Sequence, residues 1–253
     1  MSTIMARAAS VAICHGGGPL PLMGGSDSAE IAKSLSTKAI VIVTAHWSER
    51  NPTISNGLKH ELYFDYRGFP PETFKYKYDA PGSPEVAQEV FDALQSAAMA
   101  PVMNSKRGWD HGVFVPMLLI NPGTDVPIVQ LSVLDSDSPR ELYKMGVALS
   151  SLRDRNIAIV GSGAASFHDI DLHMRGGVHE KTFRPRNIEW SKALSKKGLE
   201  HWRDLPGAKD MHPEHKVEHF SPLIVCAGAG GDSKAQKYGD EMMGAEMFTY
   251  YWT

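Results

Sequence analysis

Eleven histidines in a chain of 253 residues are the groups best able to do chemistry. Three stand where a strand-like run ends. His15 follows VAIC (11–14), His46 follows AIVIVTA (39–45), and His168 comes one short turn after IAIVGSG (157–163). Imidazole is the usual nitrogen ligand of zinc, iron and copper. Its unperturbed pKa of about 6.5 also suits it to moving protons near neutral pH. A single strand-end histidine is ordinarily a cap or a solvated ring, whereas three on three strands point to one shared site. His219, in VEHFSPL, precedes a Ser-Pro helix start, and His111, in GWDHG, lies in a long irregular stretch. The glycines beside these rings, Gly16 to Gly18 after His15 and Gly161 and Gly163 before His168, suit turns that aim a side chain or let backbone come close.

The elements that must carry these residues alternate. Strands are expected over 11–14, 38–45, 126–134, 156–163 and the final EMFTYYWT. Helices are expected over 83–97, 138–154 and 187–205, with a last one opening at Ser221-Pro222. Ser83-Pro84 and Ser138-Pro139 read as N-cap and first helical position, with Glu141 placed for a capping box. The stretches 55–82 and 104–123 read as long irregular loops, which in compact domains are often functional. Alternating apolar strands and helices give an α/β fold: a single domain over 1–253 with a central mixed, largely parallel sheet covered by helices on both faces. In such sheets ligands sit beyond the carboxyl ends of the strands, where His15, His46 and His168 fall.

Composition excludes several classes. The chain is 42% hydrophobic and 22% charged with a formal net charge of −3, and no basic block suggests nucleic-acid binding. The apolar runs are strand-sized, so no membrane span is expected, and MSTIMARAAS does not read as a signal peptide. Two cysteines, Cys14 and Cys226, fit a reducing, cytoplasmic setting and rule out a thiolate-rich zinc site. Adjacent residues in extended chain face opposite ways, so Cys14 reads as core beside His15. By the same rule one of Glu218 and His219 points into the site, and both remain candidates. His60, His173, His179, His201, His212 and His215 lack a strand-end setting and read as solvated or supporting rings. Of these, His173 and His179 flank Arg175-Gly176-Gly177 and can line a substrate pocket.

HGGGP (15–19), TAHW (44–47), DAPGSPEVA (79–87), GWDHG (108–112), GSGAASFH (161–168) and EHFSPL (218–223) occur in order over most of the chain. Together they resemble the class III extradiol ring-cleavage dioxygenases, the LigB-like superfamily, and within it the DOPA 4,5-dioxygenase-like branch. The resemblance implies one mononuclear non-haem Fe(II) and a reaction that opens a catechol ring with both atoms of O2. It implies His15 and His46 as metal ligands, with His219 as the third and Glu218 as its alternative, since distant relatives use glutamate there. It implies His168 as an acid/base at the metal, or a fourth ligand when Zn(II) is bound, and His111 as a substrate-contacting catalytic residue. The sequence departs from the branch at HGGGP, where a serine- or alanine-bearing loop is usual. It departs again at Asp169, where asparagine is common, and in IDLHMRGGVHEK. These differences leave the metal ligands in place and bear on the substrate, a DOPA-like or other substituted catechol.

The residue types suit that reaction. Three ligands on one face of a metal leave room for two catechol oxygens and O2. Catechol binding releases protons, and a neutral imidazole can take them. Two other classes use similar parts. A zinc hydrolase also uses three ligands and a water, although no HExxH helix is present. A non-enzymatic Memo-like protein would use the same pocket for binding. Composition and spacing do not specify an oligomeric state.

Overall fold

A computed structural model describes residues 7–23, 37–194, 198–213, 217–242 and 244–253. His215 and residues 195–197 of the expected 187–205 helix lie outside them, as do the first six residues of MSTIMARAAS. Eight strands form one sheet: β1 (Ser10–Cys14), β2 (Ala39–Glu49), β3 (Thr53–Ser55), β4 (Val102–Asn104), β5 (Ile128–Leu134), β6 (Ile157–Gly163), β7 (Gln236–Met242) and β8 (Ala245–Trp252). Their order is β4-β3-β5-β2-β6-β1-β8-β7. The central four, β5-β2-β6-β1, are parallel, while β3 and β8 join them antiparallel and β7 pairs antiparallel with β8.

Successive side chains on a strand face opposite sides, and β2 supplies both cores. Ala39, Val41 and Val43 join one cluster, beneath helices Pro84–Ser96, Pro139–Arg153, Phe183–Leu194 and Ser221–Gly230. Ile40 and Ile42 join the other, with Trp109, Val113, Phe114 and Met117 of the second face. A strand buried on both faces reads as an unbroken apolar run, as β2, β5 and β6 do. The Ser-Pro helix starts form as expected. Ser83 Oγ accepts from the Val86 amide at 3.2 Å and Ser138 Oγ from the Glu141 amide at 3.4 Å.

Two expectations about elements are corrected, and one strand was not foreseen. Helix His111–Ile120 occupies the stretch read as irregular. It is apolar on nearly every side and carries Pro116, so it shows neither a polar face nor an unbroken helical pattern. The 187–205 helix is instead Phe183–Leu194 followed by a 3-10 segment, Leu199–Asp204. The polar edge strand β7 has no apolar alternation to reveal it. Among the described residues, no helix is long and apolar enough to cross a membrane.

Arg153 locks the far end of the fold. It is fully buried, and its guanidinium donates to Ala8 O (2.7 Å), Ala229 O (2.9 Å), Gly230 O (3.3 Å) and Trp252 O (2.9 Å). It satisfies the last carbonyls of helix Ser221–Gly230, where a cation also suits the helix dipole. Each buried carbonyl left unsatisfied costs about 1–3 kcal/mol. Arg153→Ala is expected to lower the unfolding free energy by about 3 kcal/mol or more, read from the midpoint of denaturant unfolding.

Candidate metal centre

The three best-placed rings are held by backbone before any side chain acts. His15 directly follows β1, and its amide still donates to Gly163 O of β6 at 3.1 Å. His46 lies in β2 where the register shifts between Thr44 and Ser48, so the strand continues past it to Glu49 rather than ending before it. Its amide donates to Thr44 Oγ1 (3.2 Å), and its carbonyl accepts from Arg107 Nη2 (2.9 Å). The carbonyl of His219, just ahead of helix Ser221–Gly230, accepts from the Ala164 amide (2.9 Å). Gly163 is what allows this approach, since a Cβ there would sit 2.3 Å from His219 O.

The rings converge through one kind of atom. His46 Nε2 lies 3.1 Å from His15 Nε2 and 3.2 Å from His219 Nε2. The opposite nitrogens all face oxygen. His15 Nδ1 is 2.9 Å from Ser162 Oγ, His46 Nδ1 is 3.3 Å from Asp65 Oδ2, and His219 Nδ1 is 2.9 Å from Glu218 Oε1. Ser162 spends its own proton on Gly112 O, so toward His15 it accepts. A carboxylate only accepts. Each neutral ring therefore carries its proton on Nδ1, and three Nε2 lone pairs face one another with no hydrogen between them. Burial, and then the neighbouring rings, push His15 and His219 well below the ordinary imidazole value. Burial, followed by His111, lowers His46 to about 3. Protonation is thus disfavoured as a way to relieve the repulsion, and a cation would relieve it. Nitrogens at ~2.0–2.1 Å from one ion lie roughly 2.9–3.4 Å apart for ligand angles of about 90–110°. The observed separations fall in that range, so the donor set fits a metal ion.

Two more rings complete the cluster. His111, at the start of its helix, places Nδ1 2.7 Å and its amide 3.0 Å from Asp65 Oδ1. Its ring centroid is 4.0 Å from that of His46. His168 stacks on His219 with centroids 3.5 Å apart and planes 11° apart. The structure thus gathers His15, His46, His111, His168 and His219. Of the Glu218–His219 pair, it turns His219 Nε2 inward and sets Glu218 behind it.

Residues 26–251 match the family described as the catalytic LigB subunit of aromatic ring-opening dioxygenase. The chain belongs to this family. It is accordingly an aromatic ring-opening dioxygenase. Among its relatives, dioxygenase tasH of Hapsidospora irregularis is 45% identical over 99% of this chain and 87% of its own length. The 4,5-DOPA dioxygenase extradiol of Beta vulgaris is 33% identical over 88% of each. A crystal structure of an uncharacterised Escherichia coli K12 protein shares the fold, with a TM-score of 0.73 and 24% identity, covering 98% of this chain and all of that one.

In this LigB-family chain some supports escaped the sequence reading. Asp65, within the irregular 55–82 stretch, had no signal at all. Ser162 and Asp110 lay inside quoted motifs without a role. Asp110 is buried and accepts from Thr44 Oγ1 (2.8 Å), Gln130 Nε2 (2.7 Å) and Arg107 Nη2 (3.1 Å). It ties the start of helix His111–Ile120 to β2 and β5. Burial, then the charge of Asp65, raises its pKa. A Cβ at Gly112 would sit 2.7 Å from Thr44 Oγ1 and 3.1 Å from His46 Cδ2, so only glycine lets the helix start this close.

The other histidines divide. His60 bridges loops, with its ring nitrogens near Arg107 O (3.0 Å) and Gly57 O (3.2 Å). His179 and His201 are exposed and His173 is half-buried. None of the three joins the described cluster of ring contacts and donor groups. His212 is buried against Trp190, Trp202 and Phe220, and its Nε2 donates to Ala165 O at 3.0 Å. Burial lowers it to about 3. Unfolded, it titrates near about 6.5 and so binds more protons than the folded form below that pH. The stability it confers is complete above about pH 6.5 and is lost as the pH falls toward about 3. His212→Gln is expected to make the fall of unfolding free energy across that window shallower, measured by urea unfolding at a series of pH values.

Proposed function

We propose that the protein is a mononuclear, non-haem Fe(II) extradiol dioxygenase that opens the ring of a catechol-type substrate with O2. The whole chain, residues 1–253, serves as one catalytic domain, with His15, His46 and His219 as the metal ligands. The observation that carries this reading is the convergence of the Nε2 atoms of three rings, each with an oxygen facing its Nδ1. The metal, when bound, would supply a Lewis-acidic, redox-active centre. Zn(II) can fill the same nitrogens in protein isolated in air. The catechol class, DOPA-like or otherwise substituted, is supported by the name of the beet relative and by the motifs around these residues.

The chain's own groups then handle protons. His111 donates its Nδ1 proton to Asp65, which leaves Nε2 as a base for a catechol hydroxyl. His168, half-buried and lying flat on His219, is the second acid/base and returns a proton later in the reaction. Tyr66 meets the His111 ring edge-on at 5.8 Å and continues into Phe64, Phe69 and Phe74, an aromatic wall on that side of the centre. Cys14 and Cys226 form no disulfide, in keeping with a cytoplasmic setting. The partners are a small molecule and O2, with neither nucleic acid nor membrane.

Folded protein reconstituted with Fe(II) under argon is expected to consume O2 with a catechol and give a ring-opened, coloured product. Reconstituted protein that takes up no O2 across a panel of substituted catechols overturns the reading. His46→Ala is expected to lose the metal. His111→Ala is expected to keep it and to turn over ~10²–10⁴-fold more slowly. Equal metal loss in both, by elemental analysis, would show that the two roles are misassigned.

His168→Ala should retain iron, still bind catechol, and lose turnover on the order of 10²–10⁴-fold. Near-normal ring cleavage by the iron-loaded variant removes the acid/base role, and loss of iron makes His168 an essential ligand.

A further inference from the structure

We propose that Asp65 is a positioning residue that fixes the tautomers of a metal-ligand ring, His46, and a proton-handling ring, His111, at the same time. The inference rests on the reading of the centre as a metal site. Asp65 gives one oxygen to each ring. Oδ2 is 3.3 Å from His46 Nδ1 and Oδ1 is 2.7 Å from His111 Nδ1. Oδ1 also receives the His111 backbone amide at 3.0 Å, so two donors of one residue converge on it. The side chain is only 12% exposed, and bulk water does not replace these contacts. With its proton drawn to Nδ1, His46 presents a lone pair at Nε2, 3.1 and 3.2 Å from those of its partners. His111 likewise presents a lone pair at Nε2, as a base must. Without the carboxylate, either ring is free to carry its proton on Nε2, where it can neither ligate nor accept. Carboxylates behind metal-bound histidines orient the ring and raise its basicity in this way.

The two oxygens are not equivalent, and this makes the role separable. An amide has one acceptor and one donor end. In Asp65→Asn the carbonyl oxygen takes the Oδ1 place, because two donors already point there. The NH2 group then faces His46 Nδ1. That nitrogen must accept, and the His46 proton moves to Nε2. His111 keeps its tautomer. The isosteric change therefore strikes the ligand ring and spares the base, whereas Asp65→Ala releases both.

The test measures ring 15N signals of His46 and His111 in metal-free protein at mildly alkaline pH, and Zn(II) affinity by chelator competition. Wild-type protein is expected to carry Nδ1–H on both rings. Asp65→Asn should show Nε2–H on His46 and Nδ1–H on His111, with Zn(II) binding ~10–100-fold weaker. In Asp65→Ala both rings should show mixed tautomers. Asp65→Asn with an unchanged His46 signal and wild-type Zn(II) affinity overturns the proposal. Nε2–H on either ring of the wild-type protein overturns it without any variant. Wild-type protein that binds neither Zn(II) nor Fe(II) would instead overturn the metal reading, while the ring signals still decide the role of Asp65.

Discussion

The Nε2 lone pair of His46, held 3.1 and 3.2 Å from those of His15 and His219, is repelled by both, and the surrounding structure keeps the three rings there. Neutral rings free to turn would place a hydrogen between two nitrogens. Here each is prevented by an oxygen at its far side, and the three oxygens come from different parts of the chain. Ser162 is part of β6, Asp65 belongs to the segment between β3 and helix Pro84–Ser96, and Glu218 is the neighbour of the ring it holds. The centre is therefore assembled only when the whole sheet edge is assembled. A cation that relieves the repulsion binds the folded chain and not the unfolded one, so its binding free energy adds to folding stability.

The sheet meets this demand through where it is rigid and where it is not. His15 and His46 stand on the ladder itself, and His46 has both backbone groups engaged, by Thr44 and by Arg107. Arg107 is in turn held by the buried Asp110, which also receives Thr44 and Gln130. His219 is fixed through its carbonyl against a glycine of β6. The two rings assigned to proton transfer sit on softer ground. His111 opens a helix and His168 follows a turn, half-buried and stacked on His219. Ligands need fixed geometry, and acid/base groups need enough freedom to follow the substrate.

That division also governs what was legible in the sequence. His15 and His46 could be read because a β-branched apolar run announces a parallel strand, and a parallel sheet puts its ligands at the carboxyl edge. The pairing of Glu218 with His219 left a choice that period-two alternation cannot make. Geometry makes it by giving one residue the centre and the other the ring's far nitrogen. Helix His111–Ile120 was invisible because it is buried on nearly all sides, so no polar face marks its period, and Pro116 argues against it. Asp65 was invisible for a different reason. It lies in no periodic segment, and its partners are residues 46 and 111, so only the folded chain brings its two oxygens to two rings.

The arrangement has a two-armed logic. On one arm, His111 lies beside the proposed ligand ring His46, and Asp65 touches both. On the other, His168 lies on the proposed ligand ring His219, with Glu218 bound to His219 and gathered with His168 in one donor group. On the proposed reading, a catechol that binds through both oxygens would release up to two protons into a pocket already rich in neutral imidazole. A proton accepted by His111 would put positive charge close to a cation, at a Coulomb cost that grows as the site dries. Asp65 offsets that cost at the same ring, and Glu218 stands in the corresponding place for His168. On that reading the carboxylates serve two states of one cycle. Before substrate binds, they hold the ring protons on Nδ1. After it binds, they neutralise the imidazolium that forms. A carboxylate held ionised is needed for both: burial alone would raise the Asp65 pKa, and the hydrogen bonds from His111 together with the charges of His111 and His46 lower it.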